Sequence, residues 1–246
     1  MWDQPDRVGA GGESVEIGDL SFRLVQQSSA VQIHLDGGVL DAPDMPAAGW
    51  HSAVVRGQQP VCVQPATPDL PVVVRTQRPL SLSPGSEFST VVRVPLWIRI
   101  CLDAASGSRQ TSYDIADIPT RRLKRTWFGP VDTGEVAYSW WFNPGELPDA
   151  HDHYFLVPLT ISNQSQTLLR FERMLLRAVH LDLFLIDGRL ESNRVTIAFK
   201  GTDQLSHITF ESEVAVRARG GRFVAAHRVD ANQDIIRRSF HWLRDL

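Results

Sequence analysis

A chain of 246 residues, 43% hydrophobic and 22% charged, has the composition of an ordinary globular protein and is long enough to bury a substantial core. Its formal net charge of -3 supplies no global attraction to phosphate backbones or anionic lipid, which disfavours nucleic acid and membrane surfaces as partners. The most apolar stretch, Met174 to Ile186, is interrupted by Arg177, His180 and Asp182 and falls short of the roughly 20 residues that span a bilayer, so no membrane insertion is expected.

The opening residues, Met1-Trp2-Asp3-Gln4-Pro5-Asp6, lack a basic segment followed by an apolar one, so the reading is a cytoplasmic protein with no secretory signal. Met1 to Ser14, with its glycines, reads as a mobile tail. Strands are expected at Leu20 to Val25 and Ala30 to Leu35, a loop at Asp41 to Gly49, and further strands at Val61 to Gln64 and Val72 to Arg75. Pro84-Gly85 marks a turn. From Phe88 to Leu102 the even positions Phe88, Val92, Val94, Leu96, Ile98, Ile100 and Leu102 are apolar, the pattern of a long strand with one buried side. Pro95 inside it cannot donate to a ladder, so a bulge, bend or edge is expected there. Cys62 and Cys101 both fall in strand-like runs and read as reduced, small core hydrophobes.

The second half reads as a meander: Tyr154 to Ile161, Leu168 to Leu175, Val179 to Ile186, Arg194 to Phe199 and His207 to Arg217 are rich in β-formers. Asp187-Gly188 fits a type I′ hairpin turn, and Ser162 to Ser165 a second hairpin loop. Ile236, Phe240 and Leu243 recur at helical spacing, so Asn232 to Asp245 should be an amphipathic helix. Eleven of the fifteen prolines lie at or before Pro119, and residues 1–118 carry net charge -5 against +2 for residues 119–246. The expected fold is therefore all-β, two packed antiparallel β-sandwich-like units with a short C-terminal helix. The units would be residues 1–118, β-rich with a flexible tail, and 119–246, a β-meander ending in the helix.

Familiar catalytic and nucleotide-binding motifs are absent: no G-x-S-x-G elbow, no G-x-x-x-x-G-K-[ST] loop, no H-E-x-x-H and no C-x-x-C. No catalytic residue and no cofactor is assigned. Gly9, Gly11 and Gly12 have no strand before them and no helix after them, so they read as tail rather than as a dinucleotide fingerprint. Only Lys124 and Lys200 could carry lysine chemistry.

Three constellations remain. Asp149, His151, Asp152 and His153 place two imidazoles on one strand face, but a closed zinc site needs four ligands, and a polar turn accounts for the same residues; no metal is assigned. Trp127, Phe128, Tyr138, Trp140 and Trp141, with Phe142, form an aromatic cluster that becomes a ligand or partner surface if exposed. Tryptophan is buried on average, so core packing is the default reading. On a strand Tyr138, Trp140 and Phe142 point one way and Trp141 the other. Arg121, Arg122, Lys124 and Arg125 precede Trp127, a basic and aromatic mixture that also occurs in nucleic-acid sites but that a solvated strand face explains. Arg217, Arg219, Arg222, Arg228, Arg237, Arg238 and Arg244 make the C-terminal part locally basic, which would steer an acidic partner or an anionic membrane surface toward it, an effect weakened by the interspersed Asp230, Asp234 and Asp245.

Pro84-Gly85-Ser86 before the long strand, Arg125-Thr126-Trp127-Phe128-Gly129 before Tyr138-Ser139-Trp140, and Leu159-Thr160-Ile161-Ser162-Asn163 leading to Phe171-Glu172-Arg173 resemble the uncharacterised family catalogued as domain of unknown function 432. The resemblance runs from Pro60 through Gly201. It implies a small soluble prokaryotic protein without established activity, found in gene neighbourhoods with small mechanosensitive channels. The expected role is thus a non-enzymatic interaction or accessory protein whose partner is a protein, a membrane channel first among them. The alternatives are a small-ligand or carbohydrate-binding module using the aromatic cluster, and a hydrolase with an unrecognised site. An uncovered sheet edge would permit homo-oligomers.

Overall fold

The structure is a computed structural model that describes residues 6–8, 14–17, 20–36, 49–55, 60–102, 113–142, 153–201, 205–230 and 234–237. In chain order its strands begin β1 (Asp6–Val8), β2 (Ser14–Ile17), β3 (Leu20–Gln27), β4 (Ala30–Asp36), β5 (Gly49–Val54), β6 (Val61–Ala66) and β7 (Val72–Leu82). They continue with β8 (Glu87–Pro95), β9 (Trp97–Leu102), β10 (Tyr113–Pro119), β11 (Lys124–Phe128), β12 (Glu135–Phe142), β13 (Tyr154–Asn163) and β14 (Leu169–Leu176). After a 3-10 turn at Ala178–His180 come β15 (Leu183–Ile186), β16 (Arg189–Ser192), β17 (Val195–Phe199), β18 (Ser206–Phe210), helix α1 (Glu213–Ala218), β19 (Arg222–Ala225) and β20 (Asp234–Arg237). The fold is all-β with one short helix near the C-terminal end of the described residues.

The chain divides into two interleaved units. The first comprises residues 1–66, 95–122 and 151–154; the second comprises 67–94, 123–150 and 155–246. The cut expected between 118 and 119 falls at the end of β10, inside the first unit.

The first unit holds two four-stranded sheets, β2-β3-β4-β5 and β1-β6-β9-β10. In β3 every second residue is buried, Leu20, Phe22 and Leu24, and the register sets Phe22 opposite Leu35 and Leu24 opposite Ile33. Burying each such side chain contributes about 2 kcal/mol relative to leaving it in water. Part of the expected tail, Asp6–Val8, pairs with β6; the loop expected at Asp41 to Gly49 lies outside the described residues apart from Gly49, which begins β5. Cys62 and Cys101 are core residues, as expected, but they are not free thiols. The antiparallel register places them directly opposite each other, and the structure joins them in a disulfide.

The alternation from Phe88 to Leu102 spans two strands rather than one. The break comes where Pro95 forecast it: β8 pairs with β13, whereas β9 lies between β6 and β10, and the chain passes from the second unit to the first there. Leu96 N–H donates instead to the His153 carbonyl at 2.9 Å.

The second unit holds the sheet β11-β12-β7-β14 and the larger sheet β19-β15-β16-β13-β17-β18-β20, with β8 also on β13. The larger sheet is not a simple meander, because β13 inserts between β16 and β17 and runs parallel to both. Asp187-Gly188 makes the expected two-residue turn between β15 and β16, with φ of 49° and 76°. Ser162 to Ser165, by contrast, does not close a hairpin: β13 and β14 belong to different sheets. There the buried Asn163 amide donates to Leu82 and Thr167 carbonyls and its oxygen accepts from Ser165 N–H and Oγ.

His207 to Arg217, expected as one strand, is β18 followed by α1. Ser212 caps the helix by accepting from Ala215 N–H, and Gly220 (φ 92°) ends it. Within the helix Val216 is buried and Val214 exposed. Of the helix expected over Asn232 to Asp245, the four described residues are strand β20, paired with β18.

Candidate functional site

The aromatic cluster sits on the β11–β12 hairpin, whose turn is tightly closed. Gly134 N–H donates to Pro130 O at 2.7 Å, and Trp127 Nε1 donates to the same oxygen at 3.1 Å. A Cβ at Gly134 would lie 2.4 Å from Trp127 Nε1 and 2.5 Å from Pro130 O, so only glycine fits.

Strand parity then decides where each ring points. Trp127 is opposite Val136, and Trp141 lies an odd number of residues further along β12, so the two tryptophans occupy opposite faces. Trp127 is 47% exposed and Trp141 63% exposed. The other three predicted site residues are held inside the fold. Phe128 packs with Val73, Ala137 and Leu175. Tyr138 is buried and donates to Asp69 at 2.9 Å; burial and the Asp69 charge push its pKa well up, so the hydroxyl stays a donor. Trp140 is half-buried and donates to Arg93 O at 2.7 Å. The cluster therefore does not form one platform: it supplies two exposed rings on opposite faces, well apart along the hairpin.

The face bearing Trp141 changes character along its length. At one end Glu135 accepts two bonds from the buried Arg177, at 3.1 and 2.6 Å, beside the Phe128 core. At the other, Trp141 pairs with Arg75, Arg75 pairs with Arg173, and Lys124 pairs with Ser139 one row back. Arg75 donates from Nη2 to Thr126 Oγ1 at 3.3 Å, its Nε is shielded without a partner, and no carboxylate among the described residues pairs with it.

The other basic residues are differently placed. Arg217 pairs with Glu213, Arg219 with Glu191 and Glu211, and Arg228 Nε donates to Thr67 O at 2.6 Å. Arg121 donates to Tyr154 Oη and lies over its ring. Arg238 and Arg244 lie outside the described residues.

Asp149, His151 and Asp152 also lie outside the described residues. His153 packs its ring against Tyr154, while its carbonyl accepts from Leu96 N–H and Thr120 Oγ1. Among the described residues no group of three His, Cys, Asp or Glu side chains could hold a metal ion. One constellation was not visible in the sequence: His227 is held between Asp182 (2.7 Å from Nδ1) and Asp230 (2.8 Å from Nε2). Burial opposes the imidazolium, but the hydrogen bonds to Asp230 and Asp182 and their charges outweigh it and raise the pKa above 6.5. Only the i, i+3 spacing of His227 and Asp230 was a local signal; Asp182 is brought in by the fold.

No helix among the described residues is long and apolar enough to cross a membrane. No curated protein and no solved structure matches the chain. The sequence profile described as "Protein of unknown function (DUF432)" matches residues 2–244, nearly the whole length, and the chain belongs to that family.

Proposed function

We propose that the protein is a non-enzymatic interaction protein whose contact surface is the β11–β12 hairpin with the adjoining face of β7. The observation that carries this reading is the exposure of Trp141 on a regular strand, where a large rigid ring with a polar tip is set in open solvent beside guanidinium groups. A carbohydrate platform is less well supported, because stacking a sugar calls for rings on one face and Trp127 and Trp141 face apart. The family resemblance makes a small mechanosensitive channel the first partner to test. The sequence reading places the protein in the cytoplasm; the Cys62–Cys101 bond fits an oxidising setting instead, and thiol trapping in whole cells decides between them.

The test is a photo-reactive amino acid placed at position 141, and separately at 127, in cells. A discrete protein adduct at either position supports the reading. A monomer that yields no adduct at both positions overturns it.

A further inference from the structure

Within this sheet the cations and the exposed indole are not scattered. Trp141, Arg75 and Arg173 form a row across β12, β7 and β14, and Lys124 lies on the same face one row away. Across β7, β11 and β12 the one carboxylate is Glu135, at the far end of the face and already bound by Arg177. Lys124 and Arg75 are the cations of this face for which no carboxylate partner is seen among the described residues. Arg75 is half-buried, donates to Thr126 and meets no carboxylate among the described residues, so the accessible end of its guanidinium can take an incoming anion.

Resting on the interaction reading above, we infer that this face receives an acidic segment of a partner protein, its carboxylates facing Arg75 and Lys124 and an apolar side chain lying on Trp141. The charge is complementary to such a segment, and the indole supplies apolar contact area that a phosphate group alone would not use. A polyanion the length of a nucleic acid, or an anionic bilayer, extends beyond this row and meets a protein of net charge -3. A short acidic segment needs only the local face.

The experiment uses the full chain and a fluorescent peptide of Asp, Glu and Leu, its Asn, Gln and Leu counterpart, vesicles containing phosphatidylserine, and a DNA duplex. The acidic peptide should bind, and bind more weakly as salt is raised. R75Q and K124Q should each weaken it by up to about fivefold, as expected for a partly exposed charge pair. W141A should weaken it by about thirtyfold, the scale of an aromatic anchor. Because Lys124 is exposed, K124Q keeps the test open even if R75Q perturbs the fold. Equal binding of the neutral peptide, indifference to R75Q and K124Q, or preference for vesicles or duplex overturns the acidic assignment. Binding of the neutral peptide that W141A abolishes would do so while leaving the interaction reading intact, whereas the absence of adducts at 141 and 127 removes the interaction reading itself.

Discussion

Each unit contains a four-stranded sheet with tryptophan on an inner strand, and the two sheets treat their chemistry in opposite ways. In β1-β6-β9-β10, Trp97 is 3% exposed, a disulfide links β6 to β9, and Arg99 bonds both Asp117 and Asp114. Burial opposes the Arg99 charge, but Asp117 and Asp114 more than compensate and raise its pKa. In β11-β12-β7-β14 the tryptophans at 127 and 141 face solvent and Arg75 has no acid partner among the described residues. Among the described residues Arg99, Arg177 and Arg219 are neutralised by carboxylates and Arg75 is not, which separates charges that maintain structure from a charge available to something outside.

The largest effect should come from the sheet that is complete in itself. Replacing Cys62 and Cys101 by alanine removes a cross-link with a sequence separation of 39 and should lower the unfolding free energy by about 4 kcal/mol on the chain-entropy account. Urea unfolding of the oxidised protein, the reduced protein and the double variant measures this; an unchanged midpoint under reductant would mean that the bond is not formed in solution. Next comes the paired end of the second sheet. E135A leaves the buried Arg177 guanidinium without its carboxylate and should cost about 3 kcal/mol in the same titration. A loss no larger than that of an ordinary surface substitution would dissolve the distinction between the two ends of the Trp141 face.

What was legible in the sequence was local. The alternation of Leu20, Phe22 and Leu24 identified β3, and Asp187-Gly188 identified the turn between β15 and β16, because a two-residue repeat and two positive φ angles are set by neighbours in the chain. The long run through Leu96 misled because both β8 and β9 bury even-numbered positions, Val92 and Val94 in one and Ile98 and Ile100 in the other, although they join different sheets. Pro95 signalled the break but not the change of partner. The site was legible only in part. Trp127 and Trp141 could be named as aromatic candidates, yet their exposure depends on what covers each face. Arg75 meets Trp141 only through the parallel β7–β12 pairing, which no local pattern announces. The same distance hid Asp182 from His227, and Glu191 and Glu211 from Arg219.

The His227 site gives a smaller effect with a defined sign. Because its folded pKa is raised, protonated His227 stabilises the fold fully below the unfolded value near 6.5, and the contribution disappears as pH rises through the folded value. Solvent screening keeps it under about 1 kcal/mol. H227N should remove that slope from a plot of stability against pH, leaving the acid limb governed by the carboxylates. A slope that persists in the variant would assign the titration to another group.

The smallest expected change is the one that tests the comparison hardest. R75Q and W141A, each alone, should alter stability by no more than about 0.5 kcal/mol, because among the described residues neither removes an ion pair, and neither side chain is fully buried. R99Q in the other sheet should cost more, since it leaves Asp117 and Asp114 facing each other without their cation. If R75Q instead unfolds the protein as readily as E135A does, Arg75 is a structural residue held by Thr126 and the exposed indole is an isolated ring. If stability is untouched while adducts at position 141 disappear, the charge serves recognition, and the two sheets differ in purpose as well as in pairing.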